Sequence, residues 1–406
     1  MDSEEARTIG RRLRQIRKAR RKSLVVIAGL AGMSKSKLDR IEHGQIALDK
    51  LSDIVALANA LQIAPSDLVR LPVPAPANGH TDATISAVRR ALNAIEGEEP
   101  DGLVLPVAVL REQVARILVQ LRACRFAEVA TDLPGLIRNL HTTLDTGTGH
   151  AELLDLAVYL HVHVTRMWLF HVGASTDLKL RTVFLARRLA RNRDEVTTLA
   201  MAGLSVAQEV LHSGDFDESR AILSSITLPP TTPETAGLVA YLTVTHAEAA
   251  VLEGHPGDAT APMDATAELA ERFGTTGRPD SRGFLFSPTS AAIYGMYLAL
   301  EKNEPDQALS IAQGVNPRQA PSSAIQTYWW INYGRALSKL PRHQDDAVRA
   351  LRTAERIYPT AVLRHQAVRE VFGEMLTRGS VRGAMGVELR GMAYRAGLLT
   401  SETPSA

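Results

Sequence analysis

The sequence predicts an all-α protein in which a small domain of five helices precedes a long array of stacked helical hairpins. Three observations lead to this prediction. From about residue 83 onward, apolar residues recur at helical spacing between Gly and Pro turn signals, without an alternating strand pattern of any length. One segment of the second half recurs 39 residues later. Residues 27–44 have the spacing of two short helices joined by a tight corner.

The corner motif places its apolar residues on one side of two short helices: Ile27, Ala28, Met33, Leu38 and Ile41. Gly32 follows Ala28 by four residues, where the corner needs a residue that accepts positive φ. Ser34 then stands in the N-cap position of the second helix. This is the spacing of a helix-turn-helix, and it predicts that Leu38 and Ile41 attach the second helix to the core.

Residues 7–71 as a whole resemble the Cro/C1-type (XRE) DNA-binding domain. A basic helix at 9–17 precedes the motif, and helices at 51–61 and 65–69 follow it. The resemblance implies a five-helix domain over residues 1–71 that binds duplex DNA, with the motif's second helix at the major groove. The family usually has a Gln at the first position of the motif's first helix, where it contacts the DNA backbone. This chain has Leu24 there, so that contact is not carried over.

The second helix of the motif supplies the candidate DNA-reading residues. Arg40 is the strongest of them, because a guanidinium can donate two hydrogen bonds to guanine. Lys35 and Lys37 are expected to hold phosphates. In the resembled family a Glu at the position of Glu42 pairs with an Arg of the first helix, which corresponds to Arg17, so Glu42 is interpreted as structural. The candidates at or near the groove are Ser34, Lys35, Ser36, Lys37, Asp39, Arg40 and His43.

Charge is distributed unevenly along the chain, although the total is only +2. Residues 1–71 contain 14 Lys and Arg against 8 Asp and Glu, whereas the remainder contains 32 against 36. This asymmetry is typical of a nucleic-acid-binding module joined to a neutral one. Nine basic residues lie between Arg7 and Lys22. A solvated helix face is the alternative, but beside this motif they are interpreted as phosphate contacts, with the candidates Arg11, Arg12, Arg14 and Lys18.

Length and composition exclude several other classes of protein. The 406 residues suggest two to three domains, and no run of about 18 apolar residues predicts a membrane span. The acidic N-terminus does not resemble a secretion signal, and the one cysteine, Cys124, can form no internal disulfide. The expected location is the cytoplasm. Catalytic motifs such as Gly-x-Ser-x-Gly, a phosphate-binding Gly-rich loop followed by Lys, or His-Glu-x-x-His do not occur, so neither an enzyme nor a cofactor is expected.

The second half of the chain contains an internal repeat. Tyr294-Gly295 recurs as Tyr333-Gly334, and Ala308 matches Ala347 at the same offset. Small residues at these points allow the two helices of a hairpin to pack closely. The pattern resembles the tetratricopeptide repeat, a helical hairpin of about 34 residues, with lengthened loops. Hairpins of this kind must stack to cover their apolar faces, so residues 101–400 are predicted to form an α-solenoid of six or seven hairpins. Residues 72–100 are predicted to be a proline-rich linker with room for a connecting helix.

The concave face of such an array is the candidate effector site, because concave solenoid surfaces bind extended peptides or small molecules. The repeat register places Trp330 in the core. The same register turns five side chains toward the concave face: Tyr241, Glu248, Tyr328, Ile331 and Arg335.

Five histidines crowd one region: His141, His150, His161, His163 and His171. Metal ligands on a helix need to share a face at a spacing of three or four, whereas His161 and His163 are two apart and no pair of carboxylates completes a set, so no metal site is predicted. His163, Arg166 and His171 are instead candidates for lining a groove. The long segment 274–288 interrupts the array. Its side chains Phe284 and Phe286 are expected to pack against other apolar residues.

The sequence therefore predicts a transcription regulator with an XRE-type DNA-binding head and a tetratricopeptide-like sensor body for a peptide or small-molecule effector. A homodimer is expected, because one head reads only a short half-site. The alternative is a protein-binding scaffold whose DNA contact is secondary or lost, and Leu24 is the feature that favours it.

Overall fold

The computed structural model confirms the all-α prediction. Every regular element among the residues it describes is helical. The chain divides into two compact units, of which the first comprises residues 1–76, 369–382 and 389–406 and the second residues 77–368 and 383–388. The structure describes residues 3–19, 22–48, 50–61, 68, 79–147, 149–228, 231–233, 235–274, 283–379 and 381–398.

The head begins with four helices, α1 to α4: Ser3–Ala19, Leu24–Leu30, Lys35–Glu42 and Leu51–Leu61. They enclose an apolar core that includes the predicted Ile27, Leu38 and Ile41, with Met33 packed against it. Of the predicted fifth helix at 65–69, only Leu68 lies within the described residues, where it is helical and fully buried. Pro72, Pro74 and Pro76 of the predicted linker lie outside the described residues.

The second unit consists of helices that follow one another with short connections. Helix α8, His150–Tyr159, continues through a π-helix, Leu160–Thr165, into α9, Arg166–His171, so these three elements form one long helix from 150 to 171. The helices α5 to α19 are Gly79–Glu96, Val107–Arg122, Phe126–Asp145, His150–Tyr159, Arg166–His171, Thr176–Arg193, Val196–Ser213, Phe216–Ser225, Ala236–Glu253, Thr260–Phe273, Pro288–Glu301, Pro305–Gln313, Ser323–Ser338, Gln344–Ile357 and Pro359–Arg364. The last two helices, α20 (Gln366–Arg378) and α21 (Gly383–Arg395), are divided between the units.

Six hairpins stack in the described part of the second unit. They are α6 with α7, the long helix 150–171 with α10, and then the pairs α11/α12, α13/α14, α15/α16 and α17/α18. The first helices of the last four hairpins also contact one another in sequence, α11 with α13, α13 with α15 and α15 with α17. Contacts between successive first helices are what a solenoid of hairpins requires, and the number agrees with the expected six or seven.

The repeated glycines lie where the two helices of a hairpin approach each other. A Cβ on Gly334 would lie 2.8 Å from Leu351 of α18, which is too close, whereas a Cβ on Gly295 would lie at an ordinary contact distance of 3.5 Å from Ile311 of α16. Ala308 and Ala347, on those second helices, are fully buried. Close helix packing therefore explains Gly334 and the two buried alanines of the repeat.

On α17 the more deeply buried tryptophan is Trp329, although the repeat register placed Trp330 in the core. Trp329 is the buried tryptophan and stacks on Tyr333 with ring centroids 4.8 Å apart, whereas Trp330 is only partly buried. The reason is that this helix is covered both by α18 of its own hairpin and by the neighbouring hairpin α15/α16. A helix that is covered from two directions offers no single apolar stripe from which its register can be determined.

Early and late hairpins also contact each other within the second unit. Tyr328 Oη of α17 lies 3.0 Å from His171 Nδ1 at the end of α9. Arg364 Nη1 donates to Val172 O at 2.7 Å. One apolar core contains Phe126 of the early helix α7 together with the later residues Phe284 and Tyr358. Side chains of the early hairpins are therefore covered by later parts of the same unit. No helix in the described part of the chain is long and apolar enough to span a membrane.

Candidate nucleic-acid interface

The corner between α2 and α3 has the local structure that the sequence predicted. Gly32 has φ +65°, the left-handed conformation that glycine adopts without strain. Ser34 Oγ accepts a hydrogen bond from Lys37 N at 3.1 Å and caps α3. Ser23, which the sequence analysis did not single out, caps α2 in the same way through Val26 N. Both helices of the motif are thus started by a serine hydroxyl.

A bidentate ion pair holds α3 against α1. Arg17 Nε and Nη2 donate to Glu42 Oε1 and Oε2 at 2.6 and 2.7 Å. Arg17 Nη1 also donates to Lys22 O at 3.0 Å. Both partners are buried, with Glu42 only 4% exposed. The hydrogen bonds to Glu42 raise the pKa of Arg17 above its ordinary value, against the opposing effect of burial. The pairing that the family resemblance implied is therefore present.

Gly10 permits the close crossing of these two helices. A Cβ at this position would lie 2.1 Å from Ile41 O and 2.9 Å from Glu42 O. Gly44 just beyond α3 has φ +67°, and a Cβ there would lie 2.6 Å from the Arg7 main chain. The sequence analysis assigned neither glycine a role, because a glycine carries no signal of its own until its neighbour across the helix crossing is known.

The outer face of α3 is polar and exposed, opposite the buried Leu38, Ile41 and Glu42. Arg40 and Ser36 point to solvent, and Asp39 is half-buried. His43 Nδ1 donates to Asp39 O at 2.8 Å, which leaves Nε2 without a proton when the ring is neutral. Of the predicted DNA-reading set, the exposed members are Ser34, Lys35, Ser36, Arg40 and His43.

Lys37 differs from the other candidates, because its ammonium pairs with Asp53 Oδ2 of α4 at 2.7 Å. A phosphate would have to compete with that carboxylate for the Lys37 side chain. The exposed Lys35 is the better candidate for a phosphate contact in this helix.

The basic side chains of α1 are directed outward. Arg11, Arg14 and Lys18 are exposed and Arg12 is half-buried. Among the described side chains no ion pair involves any of the four. This surface can therefore attract phosphates without first breaking an ion pair to another described side chain.

The exposed part of α2 is apolar. Leu24 is partly buried against the head core, and Val25, Val26 and Leu30 are exposed by 61, 46 and 65%. No side chain of this helix can replace the family's Gln as a hydrogen-bond donor to the DNA backbone.

Most of the predicted effector residues are engaged by the chain itself. Glu248 is buried and accepts from Tyr297 Oη at 2.9 Å, and its other contact is His212 Nε2 at 3.0 Å. Burial alone would raise the pKa of Glu248, but His212 and Tyr297 lower it below its usual range. Arg335 pairs with Glu301 of α15 at 2.8 Å. Ile331 is fully buried, so its side chain offers no surface to a ligand here.

Arg166 lies in a second buried charge network. Its guanidinium donates to Glu209 Oε1 at 2.8 Å and to Gln208 Oε1 at 2.9 Å, and Lys179 Nζ lies 3.2 Å from Glu209 Oε2. The amide of Gln208 then donates to Thr245 Oγ1. The network joins the first helices of three successive hairpins and fixes their spacing.

Aromatic rings surround His171, which the sequence analysis proposed as a groove residue. Its ring contacts Phe126, Tyr328 and Tyr358. Burial, followed by the charges of His365 and Arg166, lowers the pKa of His171 to about 3. Burial likewise lowers the pKa of His365 to about 3. Both rings are therefore neutral at pH 7.

His141 and His161 form a neutral pair in the interior, with their Nε2 atoms 2.9 Å apart. Burial, followed by the charge of Arg188, lowers the pKa of His141 to about 4. The pKa of His161 falls well below its usual value through burial. Among the described residues no three potential ligands (His, Cys, Asp or Glu) come together around a metal position.

Comparison with known proteins agrees with this description of the head. A family model described as a helix-turn-helix domain matches residues 8–71. That match supports a DNA-binding helix-turn-helix domain at the start of the chain. Neither the curated proteins nor the solved structures contain a match to the chain.

Replacing Arg17 by Ala should destabilise the head by about 3–5 kcal/mol, because Glu42 is left buried without its partner. Hydrogen exchange of the full-length protein can measure this loss as faster exchange of amides in α1 and α3. The matched control is Arg14→Ala on the same helix, where the side chain is exposed and the expected change is below about 0.5 kcal/mol. Equal exchange rates in the two variants would show that the pair does not hold α3.

Lowering the pH from 7 to 5 should reduce the free energy of unfolding of the second unit by about 2 kcal/mol through His171 alone. The unfolded chain binds a proton at the ordinary histidine pKa, whereas the folded state resists protonation down to about pH 3. The loss therefore starts as the pH falls below about 6.5. Urea unfolding monitored by tryptophan fluorescence reports this unit alone, because Trp168, Trp329 and Trp330 all belong to it.

In the His171→Gln variant this part of the pH dependence should disappear. His150→Gln, at an exposed position, should leave it unchanged. If both variants lose stability between pH 7 and 5 as the wild type does, the neutral state of His171 in the fold is contradicted.

Proposed function

We propose that the protein is a sequence-specific DNA-binding transcription regulator, in which a Cro/C1-type head is controlled by a tetratricopeptide-like body. The observation that carries the proposal is the exposed polar face of α3, which the buried Arg17–Glu42 pair holds on the surface of the head. A capped short helix with an outward guanidinium and a basic neighbouring helix has the form and charge needed to enter a major groove.

In this proposal one kind of contact supplies sequence specificity and another supplies general affinity for DNA. Arg40 reads a base, since its side chain is exposed on the outer face of α3. The basic residues of α1, together with Lys35, supply affinity that does not depend on sequence. A homodimer would place two such heads on one operator, because a single head contacts only a short half-site.

The body is the sensor in this proposal. Its stacked hairpins are joined by buried polar contacts between successive first helices, such as Arg166–Glu209 and Tyr297–Glu248. An effector that binds one spacing of these helices better than another shifts the population of the two, and a difference of about 1–3 kcal/mol is typical of allosteric coupling.

A protein-interaction scaffold with weak or lost DNA binding is the second candidate. The apolar outer surface of α2, with Val25, Val26 and Leu30 exposed, favours it, because such a surface suits a protein partner better than a phosphate. Salt-dependent binding of duplex DNA separates the candidates. The regulator binds a selected duplex far more tightly than random DNA, whereas the scaffold shows no preference.

The Arg40→Ala variant should lose about 1–3 kcal/mol of binding free energy on a duplex selected from a random pool, and little on random DNA. Arg14→Ala is the matched comparison. It should weaken binding to both duplexes alike and reduce the slope of log K against log salt by about one unit. Fluorescence anisotropy at several salt concentrations measures both effects. Equal losses on the two duplexes for Arg40→Ala would remove Arg40 from the base-reading role.

A further inference from the structure

Residues 283–287, Gly-Phe-Leu-Phe-Ser, pass through the inside of the second unit without forming a helix. All five are buried, and Phe286 is only 3% exposed. Irregular segments normally run over the surface, because their backbone groups need hydrogen-bond partners. Here the partners must come from the protein.

Two side chains from distant helices supply hydrogen bonds to this backbone. Arg122 Nη2, at the end of α6, donates to Gly283 O at 2.6 Å. Tyr241 Oη, on α13, donates to Leu285 O at 3.1 Å. The two carbonyls are two residues apart, so the two donors bind alternate main-chain carbonyls of the segment. Hydrogen bonds to main-chain carbonyls do not depend on which side chains residues 283–287 carry.

Aromatic rings on two of the helices contact the two phenylalanines. The Phe284 ring lies between Tyr241 and His163, with centroid distances of 5.2 and 4.9 Å. The Phe286 ring lies 5.8 Å from that of Tyr241. These contacts select for large apolar side chains at positions two apart.

Gly283 lies next to the ring of Tyr159, without room for a side chain. Its φ is +86°, and a Cβ there would lie 2.6 Å from Tyr159 Cε2 and Oη. The surface that contacts residues 283–287, called the inner face below, therefore specifies a small residue, an aromatic residue, a free position and a second aromatic residue in succession. Its four side chains, Arg122, Tyr159, His163 and Tyr241, come from the first helices of three hairpins.

We propose that this inner face is a binding site for an extended peptide with aromatic side chains two residues apart, and that residues 283–287 occupy it intramolecularly. Main-chain hydrogen bonds combined with pockets for alternate side chains are a general way to bind extended peptides. The tethered segment competes at a high effective concentration, so a free peptide binds well only when that segment is weakened or displaced.

The regulatory consequence rests on the proposed function. An effector peptide that displaces residues 283–287 would also release the start of α15, because Ser287 Oγ caps that helix by accepting from Ser290 N. Displacement of the segment would thus alter the packing of the later hairpins.

Rescue in trans tests the binding site in the full-length protein. The double variant Phe284→Ala/Phe286→Ala should have a lowered Tm, and the synthetic peptide Gly-Phe-Leu-Phe-Ser-Pro-Thr should raise that Tm in proportion to the logarithm of its concentration once the site is nearly saturated. The wild type should respond much less, since its own segment fills the site. The control peptide Gly-Ala-Leu-Ala-Ser-Pro-Thr should have no effect.

Adding Tyr241→Phe to the double variant should weaken the peptide about three- to tenfold, because one hydrogen bond is lost while the ring remains. Equal rescue by both peptides, or no rescue at about 1 mM, overturns the proposal, as does an unchanged affinity after Tyr241→Phe.

If the double variant does not fold, the milder Phe284→Leu variant and anisotropy of the labelled peptide give the same comparison. The assay contains no DNA, so its failure leaves the DNA-binding proposal intact.

Discussion

The buried Arg17–Glu42 pair is the interaction on which the arrangement of the head depends. It joins the end of α1 to the end of α3 through two short hydrogen bonds, where water is largely excluded. Gly10 brings the two helices close enough for the pair to form. A buried pair of this kind adds little net stability compared with apolar residues, but it is costly to break. Its effect is therefore to allow one orientation of α3, with Arg40 and Ser36 outward.

Local features of the head could be predicted from the sequence because they depend on residues close together in the chain. Gly32 at the corner and Ser34 at the N-cap act within a few residues of themselves, and the structure confirms both. The Lys37–Asp53 pair could not be predicted, since it joins residues 16 apart through the packing of α3 on α4. Arg17–Glu42 was accessible only through family resemblance, because nothing in the spacing of the two residues indicates contact.

In the hairpin array, too, local packing could be predicted from the sequence and long-range contacts could not. Recurrent Gly and Ala at 295, 334, 308 and 347 predicted the stacking, because close helix packing demands small side chains wherever it recurs. What the inner face holds could not be predicted in this way. His171 and Tyr328 meet although 157 residues separate them, and Arg122 reaches Gly283 across 161. Contacts of that range depend on how the small rotation between hairpins accumulates, which no local pattern encodes.

The most direct test of DNA binding by the head is a hydrogen-exchange footprint of the full-length protein on a selected duplex. If the outer face of α3 enters the groove, DNA slows exchange at residues 34–43 and in α1, while α2 changes little because its exposed surface is apolar. Protection confined to the second unit, or protection of α2 without α3, would contradict the claim that the outer face of α3 contacts DNA.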